Sequence, residues 1–213
     1  MKKNIFSLLF CLIFLHLFAQ ETPVVEAPKL QVGLINGLTL TKIRTSNSSF
    51  ETFDSKISYT GGFSAKMKLL PFLGIKASLL YENKGSKYSV SYFGFSFSGK
   101  FKFNYINLPI IAYYEHPIGP VKVFAGLGGT FAFMTHANAE LNGTSESISD
   151  DVNRIDAGLN GELGASYVFL NKFTAEVYFR EYFGLLNAIN DPSSTSTLKN
   201  NSMGLLFGVY YHL

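Results

Sequence analysis

The sequence predicts an all-β chain, a transmembrane antiparallel up-and-down β-barrel of about eight strands. Apolar residues recur at every second position over eight stretches, and the connections between them alternate between short and long. Beyond an apolar leader, no stretch approaches the ~18 residues expected of a membrane helix. In lipid every backbone N–H and C=O needs an internal partner, so a chain without such helices crosses only as a closed sheet.

The leader comes first. MKKNIFSLLFCLIFLHLFAQ sets Lys2 and Lys3 ahead of an apolar run from Ile5 to Phe18 that closes on Ala19, the pattern of a secretory signal peptide. The run is shorter than the ~20 residues that span a bilayer as a helix. Residues 1–19 therefore read as a removed signal, with the cut after Ala19 or Gln20, residues 20–29 as a short periplasmic segment, and 30–213 as the barrel. Cys11, the only cysteine, lies inside the leader, so the mature chain has no disulfide and no cysteine-based metal site. Without Lys2 and Lys3, sixteen basic side chains face fifteen acidic ones, which gives no electrostatic case for nucleic acid.

The strands follow in order, each with side chains alternating between two faces. Leu30, Val32, Leu34, Leu38 and Leu40 oppose Gln31, Gly33, Ile35, Gly37 and Thr39. Ile57, Tyr59, Phe63, Ala65, Met67 and Leu69 oppose Ser58, Thr60, Ser64, Lys66 and Lys68, and after Leu70-Pro71-Phe72 the series Ile75, Ala77, Leu79, Tyr81 opposes Lys76, Ser78, Leu80, Glu82. From 101 to 115, Phe101, Phe103 and Tyr105 oppose Lys102 and Asn104, and INLPIIAYY is then apolar on both faces, leaving the facing of 106–112 open. Pro109 cannot donate to a ladder, so a bulge or register change is expected near it. Residues 121–134 set Val121, Val123, Ala125, Leu127, Phe131 and Phe133 against Phe124 and Met134. Residues 155–169 and 173–186 alternate cleanly, and the last strand sets Met203, Leu205, Phe207, Val209, Tyr211 and Leu213 on one face.

The connections 70–72, 116–120 and 170–172 are short, whereas 42–56, 83–100, 135–154 and 187–201 are long and polar. Bacterial outer-membrane barrels have short periplasmic turns and longer extracellular loops, which puts both termini in the periplasm. A secreted lipocalin-like barrel also has eight alternating strands, with its apolar face inward. Lipid is favoured because the less apolar face carries mostly Gly, Ser, Thr and Asn, where water-facing surfaces carry more charge. Aromatics near strand ends (Phe72, Tyr81, Tyr105, Tyr113, Phe183, Tyr210, Tyr211) fit interfacial girdles. YSVSYFGFSFSGKFKF suggests a hairpin rising beyond the membrane.

YINLPIIAYY at 105–114, VKVFAGLGGTFAF at 121–133, the D-x-G at Asp156 to Gly158 and FREYFGLLNAIN at 179–190 resemble the outer-membrane β-barrel domain family that includes PorT-like proteins. The resemblance covers nearly the whole mature chain and implies an integral outer-membrane barrel. PorT itself is associated with a secretion apparatus.

Candidate chemistry is sparse. FMTHANAELN at 133–142 resembles the His-x-Ser segment of lipid A deacylase barrels, but His136 is followed by Ala137 and Asn138, and nucleophilic catalysis needs the missing hydroxyl. His116 and His212 have no metal-site spacing, and Glu146, Asp150 and Asp151 fall short of a calcium loop. Gly126, Gly128 and Gly129 lie within an alternating strand and make no phosphate cradle. Asn47, Asn142 and Asn200 begin N-x-S/T sequons without expected meaning in a bacterial chain. No catalytic, cofactor or metal site is expected.

An eight-stranded barrel is just wide enough for side chains to fill it. A turn centred on Asn171 sets Glu162 opposite Arg180 and Ser166 opposite Glu176 on the inward face. Lys66, Lys68 and Lys76 flank another short turn and point inward near the periplasmic end, with Lys122 at a similar depth, so Glu162 and Glu176 are expected to have basic partners within reach across a narrow lumen. An interior charge network of Glu162, Arg180, Glu176, Lys66, Lys68, Lys76 and Lys122 is therefore expected to fill the lumen. The function read from this is non-enzymatic, structural or adhesive and ligand-binding through extracellular loops. An accessory subunit of a secretion machine is the alternative, and a lipid-modifying barrel enzyme a third reading. Implied partners are outer-membrane lipid, the barrel assembly machinery during insertion, and an extracellular ligand or secretion-system components.

Overall fold

The computed structural model describes residues 30–45, 51–92, 95–141, 143–189 and 197–213. The expected signal peptide and the segment 20–29 lie outside the described residues, as do Asn47 and Asn142. The strands are β1 (Leu30–Thr45), β2 (Glu51–Asp54), β3 (Lys56–Leu70), β4 (Leu73–Tyr92), β5 (Phe95–Ile118), β6 (Val121–Leu141), β7 (Thr144–Ser147), β8 (Ile155–Phe169), β9 (Phe173–Gly184) and β10 (Leu198–His212). Eight of them close an antiparallel barrel in the cyclic order β4-β3-β1-β10-β9-β8-β6-β5, with β4 pairing β5. The other two, β2 and β7, lie in stretches expected as loops and pair with the upper parts of β4 and β6.

Following the register once around fixes the barrel's size. From Leu40 the directly paired residues run Met203, Glu181, Gly161, Leu127, Ala112, Ile75, Met67 and back to β1 at Leu30, an offset of ten residues. With ~3.3 Å rise per residue and ~4.8 Å between strands, that offset tilts eight strands by about 40°.

Period two sets the faces. Leu34, Leu38, Phe63, Leu79, Leu127, Leu163, Leu205 and Phe207 point outward and are exposed as an apolar belt, while Thr39, Ser64, Lys66, Lys76, Glu162 and Glu176 point inward and are buried. The open stretch 106–112 also alternates: Ile106, Leu108 and Ile110 face out, Asn107 and Ile111 in. No bulge forms at Pro109. Its missing N–H leaves a gap in the β4 ladder between Ala77↔Ile110 and Leu80↔Asn107 without changing the offset. The bulge is on β6, where Asn104↔His136 and Tyr105↔Met134 leave Thr135 unpaired. The extra residue turns Ala137 inward and His136 outward.

Above the belt the polarity of the two faces inverts. On the upper parts of β1 and β5, Ile43, Phe103 and Tyr105 are buried inside, whereas Lys42, Lys100 and Lys102 face out. Lipid outside demands apolar outward residues, and water outside demands the reverse. This corrects the girdle reading for three residues. Phe72, Tyr81, Phe183 and Tyr211 are exposed on the outer wall, but Tyr105, Tyr113 and Tyr210 are buried in the lumen.

Candidate functional site

The lumen is built from ion pairs that cross it. Lys66 pairs with Glu176 and Lys76 with Glu162, joining β3 and β4 to the far wall at β9 and β8. Higher up, Arg180 Nη2 lies 3.0 Å from Glu82 Oε2, and Lys84 Nζ lies 3.3 Å from Asp156 Oδ2. At the periplasmic end Glu115 takes Lys68 and, at 3.1 Å, Lys122. A buried charge needs a partner, because desolvation otherwise outweighs what the fold can offset.

All seven residues of the expected network thus lie along the lumen, where Glu162 and Glu176 take Lys76 and Lys66 across it, while the facing residues of the β8–β9 hairpin do not form the ion pairs. Glu162 and Arg180 do face each other in the register, as do Ser166 and Glu176. Yet Glu162 bonds to Lys76 and Arg180 to Glu82. Lys122 reaches Glu115 on the neighbouring strand, not Glu162 or Glu176, because its side chain sits too near the periplasmic rim. Sequence reasoning missed Glu82, Lys84, Glu115 and Asp156 as members. Parity was the available signal: Glu82 and Lys84 share the even, inward face of β4 with Lys76, and Asp156 shares that of β8 with Glu162.

Aromatic rings separate the pairs. Lys66 Nζ lies 4.6 Å from the Tyr113 ring centre and also faces Phe124 and Tyr210. Lys76 lies 4.1 Å from Tyr178, and Lys84 3.7 Å from Tyr182. A cation over a ring face gains electrostatic stabilisation where water is scarce. The rings lie flat on the wall because glycines make room for them. A Cβ on Gly33 would meet Tyr210 Cδ1 at 2.7 Å, and one on Gly158 would meet Tyr182 Cε2 at 2.6 Å.

An apolar plug closes the extracellular mouth above the charged layer. Ile43, Phe53, Phe103, Tyr105, Met134 and Val152 are part of one buried cluster. The loops are tied over it: Asn153 Nδ2 donates to the carbonyls of Asn187 (2.9 Å) and Ile189 (2.8 Å), and Ala188 N to Leu198 O. Tyr105 joins plug to network, since its hydroxyl accepts from Asn200, whose amide also donates to Asp156.

Beyond the plug, β2, β4, β5, β6 and β7 continue as a sheet above the membrane. One row across it reads Asp54, Lys87, Lys100, Glu140, two like charges side by side between two carboxylates. These four and Tyr88 help line a pocket of about 420 Å³. Lys102 Nζ lies 2.5 Å from Glu140 Oε2, and its hydrogen bond and charge hold that carboxyl below the usual range.

The remaining singled-out residues are peripheral. His136 is exposed beside the bulge, and Asp150, itself exposed, lies 3.6 Å from Arg154. His212 Nε2 and Thr174 Oγ1 are 2.6 Å apart at the periplasmic end. Among the described residues, no group of three or more His, Asp or Glu is placed to hold a metal.

A family model described as outer membrane protein beta-barrel domain matches residues 18–190. Comparison with curated proteins gives no match. Among solved structures, Neisserial surface protein A is 18% identical, with 87% of this chain and 97% of that one covered and a TM-score of 0.52. OprG of Pseudomonas aeruginosa is 12% identical over 87% and 97% (TM-score 0.49), and Ail of Yersinia pestis 12% identical over 85% and 97% (TM-score 0.40).

Proposed function

Given that the chain belongs to the outer membrane protein beta-barrel domain family, and so resides in the outer membrane, we propose that it is a closed, non-enzymatic barrel whose extracellular sheet binds a ligand. The observation that carries this is the pairing of a filled lumen with an ordered platform. Tyr105, Tyr178, Tyr182, Tyr210, Lys76 and Lys84 are each under 2% exposed within the barrel, which leaves little space for a permeating solute. The periplasmic connections are tight turns, while β4, β5 and β6 run 20, 24 and 21 residues, well beyond the ~9–11 that span a bilayer. The polar pocket on that platform, within the usual size range of small-ligand sites, is the contact surface we assign. Lys87 and Lys100 supply charge for an anionic or polyhydroxylated ligand.

The protein in nanodiscs, tested on glycan and matrix-protein arrays, should bind specific features. Binding should be lost in Lys87→Gln/Lys100→Gln and when residues 87–100 are replaced by a two-residue turn. In planar bilayers it should show no steady conductance. Stable open channels, or array binding indifferent to both changes, would refute this reading.

A further inference from the structure

The outer wall turns from apolar to cationic within one step where the first and last strands of the barrel meet. The outward series on β1 is Leu34, Asn36, Leu38, Leu40, Lys42, Arg44, and on β10, read upward, Phe207, Leu205, Met203, Asn201, Lys199. The register sets Lys42 beside Asn201 and Arg44 beside Lys199. Three cations therefore sit together directly above Leu40 and Met203, at the extracellular edge of the lipid-facing belt.

Among the described residues that arrangement has no internal reason. Like charges on directly opposed positions of a strand pair destabilise it. Among the described residues, no carboxylate comes within ion-pair distance of Lys42, Arg44 or Lys199. Glu181, the carboxylate on the same outer face, is paired in the register with Met203, one outward step nearer the membrane centre. Arg44 is also held in place. Its guanidinium carbon lies 3.7 Å from the Phe183 ring centre, Nε donates to Asn201 Oδ1 and Nη2 to Gly184 O, each at 2.8 Å, and Nη1 has no hydrogen-bond partner among the described residues. A fixed guanidinium with a free edge, flanked by two ammonium groups, matches the oxygens of a phosphate.

We propose that Lys42, Arg44 and Lys199 bind the phosphate of an outer-leaflet lipid whose acyl chains lie against Leu38, Leu40, Met203 and Leu205. Position and charge both point to this occupant. The cations lie at the depth where headgroups begin, on the extracellular side, and the outer leaflet of this membrane is built of phosphorylated glycolipid. Basic clusters at such a boundary recognise anionic headgroups. The site is separate from the platform pocket and does not depend on the ligand-binding role proposed above.

The test uses the full barrel in phosphatidylcholine nanodiscs, titrated with phosphorylated lipid A, with its dephosphorylated form, and with inorganic phosphate. The wild type should bind the phosphorylated lipid best. Lys42→Gln/Lys199→Gln, which keeps Arg44 and its structural bonds, should lose roughly fivefold per charge. Lys87→Gln/Lys100→Gln should bind as the wild type does. Heat-dependent electrophoretic mobility confirms that each variant is folded, and Lys42→Gln alone serves if the pair is not. Equal affinity for the two lipids, unchanged binding in the folded variant, equal loss in the platform variant, or saturable binding of free phosphate of the same strength would each overturn the proposal.

Discussion

Lys76 illustrates how tightly single residues are constrained in the lumen. Its ammonium is paired with Glu162 and lies 4.1 Å from the Tyr178 ring centre, with the side chain 2% exposed. Lys76→Met leaves Glu162 as an uncompensated buried charge and should destabilise the barrel by about 3–5 kcal/mol. Lys76→Met/Glu162→Leu removes both charges and should recover most of the loss, since a buried pair exchanged for apolar residues is often neutral or better. Urea unfolding of the four proteins in detergent checks the cycle, and simple additivity would refute the pairing. A cycle on Glu162 and Arg180, which face each other but hold different partners, should show the smaller coupling. Gly33 is constrained by space rather than charge. A side chain there would begin 2.2 Å from Val209 O and 2.7 Å from Tyr210 Cδ1, both on β10. Gly33→Val should therefore abolish the heat-modifiable folded form on electrophoresis, because β1 can no longer approach β10.

The strands differ in how legible they are. Where lipid lies outside and the lumen inside, parity names both faces, and the sequence of β8, β9 and the lipid-facing part of β10 places the side chains apart from Tyr210, which looks like a girdle residue and is buried in the lumen. Legibility fails along β5 and β6. There the same strand passes from lipid to water, so Phe103 and Tyr105 look like wall residues although they point into the plug. Across the lumen the sequence offers Lys66, Lys68, Lys76 and Lys122 to Glu162 and Glu176 but not which pairs meet, because that depends on the ten-residue offset around the barrel, a property of closure that no single strand carries. The loops over the mouth were not legible at all, because Asn153 acts through backbone carbonyls that any residue supplies. Asn153→Ala removes two such bonds and should lower the opening energy of the 185–189 segment by about 1–3 kcal/mol. Hydrogen exchange should speed up there while barrel strands stay protected. Unchanged exchange would mean that the segment is held by something else.

The barrel as a whole has two closures in series, an apolar plug above and paired charges below. Removing the tie of the third loop and its plug residue Val152 by deleting residues 146–153 should leave conductance at background, because the charged layer still fills the lumen. Adding Lys66→Ser, Lys76→Ser, Glu162→Ser and Glu176→Ser should produce open channels in planar bilayers. Conductance after the loop deletion alone would show that the plug is the only barrier.

The ion pairs that span the lumen join the strands near one end of the sequence to those near the other. Until the sheet has curled round, Lys66 and Lys76 on one side and Glu162 and Glu176 on the other have no partners, and a flat or half-rolled sheet entering lipid would carry them bare into hydrocarbon. Four ionised groups there together cost about 10 kcal/mol even at the low end of the range for a charge in hydrocarbon. Entry into the bilayer and curling must therefore happen as one event, with no stable halfway state in the membrane, and any partly rolled form has to wait where water or an assembly factor can shield its charges.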